Sequence, residues 1–368
     1  MNVALTFNAK PEDDQPPGNA VRQYNDVFAE WDNYHTIHAV RDALAEYHDV
    51  TLIEADENAF EKLRALRPDI VFNIAEGKNG ISREAQIPAM LDMLGIPYTG
   101  SDPLTLASCL DKCRTKEILL YNGIPTARFI SVESIEEFRN SFMSCPAFDY
   151  PVFIKPSGEG SSKGIFNSSL VTNSDEAEKL VMQMLDNYRQ TVIIEEFLPG
   201  REFTVAILGN GQYAEVLPVV EIIFDSLPGD LAPIYSYEAK WIADNKDHPL
   251  EIFSCPADLS VELAEDIRNT ALRAYNALRC RDWSRIDIRL DARGKANIIE
   301  INPLPGILPD PEDNSCFPKS ARTAGLNYNE MIMSVLNAAV KRYGLAEGYS
   351  SGYVKSDSYA EISDIQNK

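Results

Sequence analysis

Apolar and polar positions change period several times along the first hundred residues, and each change predicts an element. Residues 3–7 (Val-Ala-Leu-Thr-Phe) read as a buried first strand. Residues 27–47 carry apolar positions at helical spacing, 50–53 form a short strand, and 59–66 are helical until Pro68 stops them. Residues 69–74 form a buried-type strand, and 85–94 a helix that ends before Gly95. Strands alternating with helices in this way predict βαβ wiring and a parallel sheet. Between the first strand and helix, residues 11–18 are rich in Pro and Asp. This connection exceeds a usual βα loop, so it is expected to be a lid or disordered.

From about residue 101 the pattern continues: a helix over 110–121, an extended stretch over 125–130, and a helical segment opening at 132. Then come a strand at 152–155, a Gly/Ser loop, a helix at 175–186 and a strand at 191–195. A third region has strand patterns at 203–208 and 215–222, a helix at 261–278, two strands around 285–290 and 298–302, and a helix at 328–343. The tail from 346 is rich in Ser, Tyr, Gly and Asp, which predicts mobility. No internal repeat is visible.

The two late strands carry the most chemistry. Arg285-Ile286-Asp287-Ile288-Arg289-Leu290 precedes a turn signal, Asp291-Ala292-Arg293-Gly294-Lys295, and then Ile298-Ile299-Glu300-Ile301-Asn302. Folded as a hairpin, Asp287 falls opposite Glu300, with Asn302 on the face of Glu300 and Arg285 on that of Asp287. Two carboxylates and an amide oxygen would converge beside an arginine, a hard-oxygen set that suits Mg²⁺ together with substrate phosphates. A surface hairpin with ordinary charges on its wet face would carry the same pattern. Upstream, Lys155-Pro156-Ser157-Gly158-Glu159-Gly160-Ser161-Ser162-Lys163-Gly164 follows a strand. Its small residues let backbone N–H groups and serine hydroxyls approach an anion, although the order is not that of a Walker loop. Read alone, it is equally a flexible hairpin loop. Glu195-Glu196-Phe197-Leu198 and Gly200-Arg201-Glu202-Phe203 join two regions, where a nucleotide base commonly sits, or where a plain acidic hinge would. Tyr235-Ser236-Tyr237-Glu238-Ala239-Lys240-Trp241 sets a lysine among aromatics, as in a lid over a phosphate or an ordinary packed loop. Gly306, in Asn302-Pro303-Leu304-Pro305-Gly306, could offer a backbone N–H to an oxyanion.

Composition narrows the function. The chain has 368 residues, enough for two or three domains. Its formal net charge of −22 argues against nucleic acid and anionic membranes as partners. No apolar run approaches a membrane span, and the N-terminus has no basic n-region of a signal peptide. The six cysteines are scattered and complete no zinc set, so reduced thiols in a cytoplasmic protein are expected. The four histidines have no metal-binding spacing.

The order of these signals is more telling than any one of them. Lysine, Gly/Ser loop, Glu-Glu-x-Leu hinge, Glu-Ala-Lys, Arg-Ile-Asp and Glu-x-Asn follow one another along the chain. With them come Gly95-Ile96-Pro97-Tyr98-Thr99-Gly100-Ser101, Asp111-Lys112-Cys113-Arg114-Thr115-Lys116, and Ser315-x-x-Pro318-x-x-Ala321-x-x-Ala324-Gly325. From about residue 68 to 345 the chain resembles the ATP-grasp superfamily, and within it the D-alanine–D-alanine ligase family. The resemblance implies a three-domain α/β ATP-grasp fold. Its parts would be an N-terminal Rossmann-like domain over 1–100, a central α+β subdomain over 101–198 and a C-terminal α/β subdomain over 199–345, with the tail at 346–368. It also implies an enzyme that uses ATP and Mg²⁺, or Mn²⁺ in its place, to activate a substrate carboxylate as an acyl phosphate, which an amino acid's amine then attacks. A non-catalytic ATP-binding regulator is the rival reading; the intact Asp287, Glu300 and Asn302 set argues against it. Family members are often dimers, so a homodimer is expected.

By the same resemblance, Lys112 and Lys155 hold ATP phosphates, Ser162 joins the ATP contacts, and Glu195, Glu196, Phe197 and Leu198 frame adenine. Glu202 binds ribose and Lys240 the γ-phosphate. Asp287, Glu300 and Asn302 hold the metal. Arg285 and the Gly306 N–H stabilise the oxyanion, with Ser161 also among the catalytic residues, and Ser315 binds the second substrate's carboxylate. The first-substrate pocket departs from the family. Residues 8–18 replace its Gly-rich loop, leaving Glu30 or Asp32 as the acid for the first ammonium. The His-Gly-x-x-Gly-Glu-Asp-Gly stretch becomes Glu76-Gly77-Lys78-Asn79-Gly80-Ile81-Ser82-Arg83-Glu84, with Glu76 in place of histidine. Trp241 stands where a tyrosine usually follows Glu-Ala-Lys, so the usual Ser–Tyr lid bond cannot form. Pro303-Leu304-Pro305-Gly306 replaces Thr-Ser-Pro-Gly, and 311–314 reads as an insertion. A retained ATP site with a rewritten pocket leaves two readings, D-alanyl-D-alanine synthesis and a donor acid other than D-alanine, and the departures favour the second; the retained Ser315 predicts an acceptor with an α-carboxylate.

Overall fold

The computed structural model describes residues 1–11, 28–144, 148–227, 231–236, 238 and 252–345. The expectations for residues 12–18, for Tyr237, Ala239, Lys240 and Trp241, for Cys145 and His248, and for the tail from 346 lie outside these residues.

The first region contains β1 (Asn2–Phe7), α1 (Tyr34–Ala45), β2 (Asp49–Glu54), α2 (Ala59–Leu66), β3 (Ile70–Asn73) and α3 (Gln86–Leu94). Its sheet is parallel with the order β2-β1-β3. α1 begins seven residues after the predicted start. The Asn33 side chain accepts from the Thr36 N–H and caps it, while Asp32 forms a bridge to Ala9 beside the sheet.

The second region contains α4 (Pro103–Leu110), α5 (Lys112–Tyr121), β4 (Phe129–Val132), α6 (Ile135–Phe138), β5 (Val152–Pro156), β6 (Leu170–Val171), α7 (Ser174–Tyr188) and β7 (Val192–Glu196). The helix expected at 110–121 is α5, which starts two residues later, and α4 before it was not expected. Asp111 is extended (φ −83°, ψ 102°) and its carboxylate accepts from the N–H groups of Cys113 and Arg114, so the chain breaks and restarts there. These strands form an antiparallel sheet, β4-β7-β5-β6.

The third region contains β8 (Glu202–Leu208), β9 (Glu215–Val216), β10 (Val220–Ile222), β11 (Phe253–Ser254), α8 (Val261–Ala277), β12 (Trp283–Leu290), β13 (Ala296–Asn302), α9 (Cys316–Thr323) and α10 (Tyr328–Tyr343). The strand expected over 215–222 is two short ones, because Pro218 between them has no N–H to donate. The sheet runs β11-β10-β8-β12-β13, with β9 paired to β8.

Alternation along the strands creates the cleft. On β5 and β7, Val152, Ile154, Val192 and Ile194 pack beneath α7 against Ala177 and Val181. Phe203, Val205, Ile286 and Ile288 pack with Ile267 and Ala271 of α8. A period of two then turns Phe153, Lys155 and Glu195 of one sheet, and Glu202, Thr204, Arg285, Asp287 and Arg289 of the other, to the opposite faces. The first sheet shares its core with the end of the chain: Trp283 stands edge-on to Phe72 and Phe317 at 5.8 and 5.7 Å, with Ile332 and Leu336 of α10 alongside. Among the described residues no helix is long and apolar enough to cross a membrane.

Candidate active site

The late hairpin sets Arg285 opposite Asn302 and Asp287 opposite Glu300. Leu290 faces Ala296, so a regular ladder would place Asp287 against Ile299. A bulge beside Asp287 supplies the missing step, leaves Ile299 as the extra residue and brings the two carboxylates face to face. Arg285 grips Asp287 with two bonds, Nε to Oδ1 at 3.0 Å and Nη2 to Oδ2 at 2.9 Å. The Asn302 amide donates to Asp287 Oδ2 at 3.3 Å. Lys112 Nζ lies 2.8 Å from Glu300 Oε1. Burial resists charge on Glu300, but Lys112 and Lys155 outweigh it and hold the carboxyl below its ordinary range.

Lys112 opens α5, where the Asp111 cap fixes the helix start, and its Nζ also donates to the Glu159 carbonyl of the Gly/Ser loop. Lys116 lies one turn further on the same face. Glu195 is buried between two lysines, with Lys116 Nζ at 2.6 Å and Lys155 Nζ at 2.7 Å. Burial alone would raise the Glu195 carboxyl, but the two ammonium groups pull it down to about 2. Burial lowers Lys116 in spite of Glu195. On Lys155, Glu195 and Glu300 overcome burial and raise it.

Two cavities open onto these groups. The larger lies between the second and third sheets. Its walls include Lys155, Ser161 and Ser162 from the loop, the whole Glu195 to Leu198 hinge, Glu202, and Arg285, Asp287 and Glu300 from the hairpin. Glu202 pairs with Arg289 at 2.8 Å, and burial holds its carboxyl above the ordinary range despite that partner. The Arg289 guanidinium lies over Phe197 at 4.8 Å and Phe224 at 5.4 Å, closing the hinge end with a flat surface. Glu196 turns away to an exposed partner, Arg128. Ser161 and Ser162 have φ of 49° and 61°, a region costing about 1–2 kcal/mol per non-glycine residue. Ser162 Oγ donates to the Tyr235 carbonyl at 3.0 Å, joining the loop to the 231–236 segment.

The second cavity shares Ser161, Arg285 and Glu300 with the first, so the two meet at the hairpin. It continues past Asn302 and Gly306 to Glu30, Asp32, Glu76 and Glu84. Glu30 is claimed by other groups: Arg83 Nη2 lies 2.6 Å away, and the Gly160 N–H donates to it at 2.7 Å. Arg83 also donates to the Gly158 carbonyl at 2.9 Å, and Lys163 pairs with Glu159 at 2.7 Å. Glu76 rides on a backbone fixed by the Gly77 N–H to Asn8 at 2.8 Å and the Trp31 indole to the Gly77 carbonyl at 3.0 Å. Gly77 has φ of 75°, and a Cβ there would meet the Arg83 carbonyl at 2.5 Å. Ser315 lines neither cavity. Its hydroxyl, buried at the start of α9, bonds to the Gly306 carbonyl and the Leu308 N–H, both at 3.2 Å.

The donor set of Asp287, Glu300 and Asn302 fits Mg²⁺ in chemistry: two facing carboxylates and an amide oxygen beside cations that suit phosphate. Among the described residues no group of three His, Cys, Asp or Glu side chains gathers for a metal. Sequence reasoning gave no role to Lys116, Arg289 and Arg83. The four-residue spacing of Lys112 and Lys116, and of Asp287 and Arg289 by two, was the available signal for the first two.

Three sheets, with a cleft between two of them lined by lysines, an acidic hinge and a paired-carboxylate hairpin, define an ATP-grasp enzyme. Residues 118–337 match the model of the D-ala D-ala ligase C-terminus family. A D-alanine–D-alanine ligase of Mannheimia succiniciproducens is 33% identical over 291 residues, 78% of this chain and 86% of that protein. An uncharacterized protein of Sinorhizobium fredii, y4sG, is 35% identical over 308 residues, 80% of this chain and 84% of its own. Among solved structures, the Bacillus anthracis D-alanine–D-alanine ligase complexed with ATP superposes with a TM-score of 0.67 at 21% identity, covering 94% of this chain and 99% of that one. The VanG D-Ala:D-Ser ligase from Enterococcus faecalis gives 0.65 at 21% identity, covering 92% and 99%. The chain belongs to the D-alanine–D-alanine ligase family, and it is an ATP-dependent ligase.

Proposed function

We propose that the protein joins a donor acid to the amine of an amino acid by way of an acyl phosphate, and that the donor is not D-alanine. The observation that carries the acyl-phosphate reading is the meeting of the two cavities at Ser161, Arg285 and Glu300, and the altered donor rests on Glu76 in the lining of the smaller one. ATP in the larger cavity and an acid in the smaller would bring a γ-phosphate and a carboxylate to one point, which is the main requirement of phosphoryl transfer. Adenine lies along the hinge from Glu195 to Leu198, with Glu202 at the ribose and Lys112, Lys155 and Ser162 at the phosphates. Asp287, Glu300 and Asn302 would hold Mg²⁺, which neutralises phosphate charge when bound. Lys240 remains the expected γ-phosphate partner.

The donor carboxylate oxygen attacks the γ-phosphorus, and the bond to the β-phosphate oxygen breaks to release ADP. The acceptor amine then attacks the acyl carbon and loses a proton, and inorganic phosphate departs with the donor's oxygen. Arg285 and the Gly306 N–H stabilise the oxyanion of that second step. Ser315 orders the Gly306 loop in addition to any contact it makes with the acceptor carboxylate.

The test is ATP-dependent phosphate release across single and paired D- and L-amino acids, with product masses recorded. A condensed product from a donor other than D-alanine is expected. Ordinary turnover with D-alanine alone, giving the dipeptide, contradicts the altered donor.

A further inference from the structure

We infer that the donor acid carries a cationic group in addition to its α-ammonium, as a diamino acid does, and that Glu84 and Glu76 select it. This rests on the ligase reading above and names the substrate class of its smaller cavity. The cavity is lined by groups of both signs. Arg285 and the Gly306 loop are in its wall, together with Asp32, Glu76 and Glu84. A zwitterion is therefore oriented with its carboxylate toward Arg285 and its cationic part toward the acids.

The number of available acids sets the charge of that cationic part. Four carboxyl groups gather here, and one of them is ion-paired: Glu30, held by Arg83 at 2.6 Å. Asp32, Glu76 and Glu84 form no ion pair among the described residues. Lys10 acts on Asp32, Arg83 on Glu76 and Glu84, and Lys112 on Glu84, but none of them overcomes burial. Glu84 is the strongest sign of a missing ligand. It is only 9% exposed, it faces into the cavity, and among the described residues its carboxylate has no hydrogen-bond partner. A carboxylate buried without a partner is costly, and a ligand cation relieves that cost. One α-ammonium can satisfy one of the three. A second ammonium or guanidinium on the donor satisfies another, and a neutral side chain leaves two acids facing apolar groups. Burial pushes Asp32 up to about 7 and Glu84 to about 8.

The probes are D- and L-lysine, D- and L-ornithine, and the isosteric D- and L-norleucine. Each is titrated calorimetrically into the full-length protein with a non-hydrolysable ATP analogue and Mg²⁺, then assayed as donor by phosphate release with an amino-acid acceptor. We expect one enantiomer of a basic acid to bind and to exceed norleucine in kcat/KM by about 10- to 100-fold, the range for a hydrogen bond to a charged group. Glu84→Gln should remove that margin, with the loss in KM rather than kcat. Glu76→Gln is the second variant should the first fail to fold, as judged by its melting temperature. Equal binding of lysine and norleucine, or turnover with neutral donors only, overturns the inference and leaves the ligase reading intact. Selective binding of a basic acid without turnover for any acid pair supports the pocket assignment and contradicts the ligase reading.

Discussion

Asp287 and Glu195 illustrate two ways in which a carboxylate of the cleft is held by cations. Asp287 is held by one bidentate arginine, and Glu195 by a lysine on each oxygen. Asp287→Asn keeps the shape but removes a charge from the metal set. Turnover should fall at least about 100-fold, since each 1.4 kcal/mol lost from several is a factor of ten. ATP affinity, measured separately, shows whether the nucleotide still binds; unchanged turnover would remove Asp287 from the reaction. For Glu195 the carboxyl falls from 4.5 to about 2 on folding. A depressed acid contributes stability above its unfolded value, and that contribution is lost as pH falls from 4.5 toward 2. Denaturant unfolding of Glu195→Gln should therefore show lower stability at neutral pH and a shallower loss across that acid window. The sequence named Asp287, Glu195 and Lys155 because each sits in a short strand motif. It gave no role to Lys116 and Arg289, whose partners come from distant segments that only the fold brings near.

The elements that position these side chains depend on small local devices. Period-two strands, the βαβ beginning and the long helices α8 and α10 were legible because a single apolar face runs along each. The separate helix α4 and the restart at Asp111 were not, since the apolar pattern does not show the cap that divides α4 from α5. Asp111 also accepts from Ser157 Oγ at 2.7 Å, so it ties the start of α5 to the strand end beside the Gly/Ser loop. Asp111→Ala should cost about 0.5–2 kcal/mol in chemical denaturation, as lost caps do, and raise the KM for ATP by loosening Lys112. An unchanged KM would mean that Lys112 is positioned by its other contacts. The hairpin bulge is a second device. Facing of Asp287 and Glu300 was anticipated, but a five-residue turn alone would have set Ile299 there. Deleting Ile299 should give a regular ladder that still sets Glu300 opposite Asp287, so activity should survive; its loss would show that the bulge itself shapes the site.

In the molecule as a whole, the first region reaches across to the second through Arg83. Its guanidinium joins Glu30, the Gly158 carbonyl and, at 3.5 Å, Glu159. Arg83→Met would leave Glu30 and Glu159 with less compensation in a buried setting. Unfolding free energy should drop by about 3–5 kcal/mol, as when one partner of a buried pair is removed; a smaller change would show that Lys163 and the Gly160 N–H suffice. Family resemblance carried the sequence reading to the ATP-grasp fold, because its motifs follow the chain order of the sheets. In the donor pocket, where the chain departs from the family, the sequence offered Glu30 and Glu76 as candidates, while the places of Arg83 and Glu84 beside them emerged only on folding. The central claim, that a donor carboxylate takes the γ-phosphoryl group at the junction of two cavities, has a direct isotopic test. With an accepted donor acid labelled with ¹⁸O in its carboxylate, phosphate released during ligation should carry one labelled oxygen by mass spectrometry. Unlabelled phosphate accompanying the condensed product would contradict an acyl phosphate and with it the assignment of the cleft.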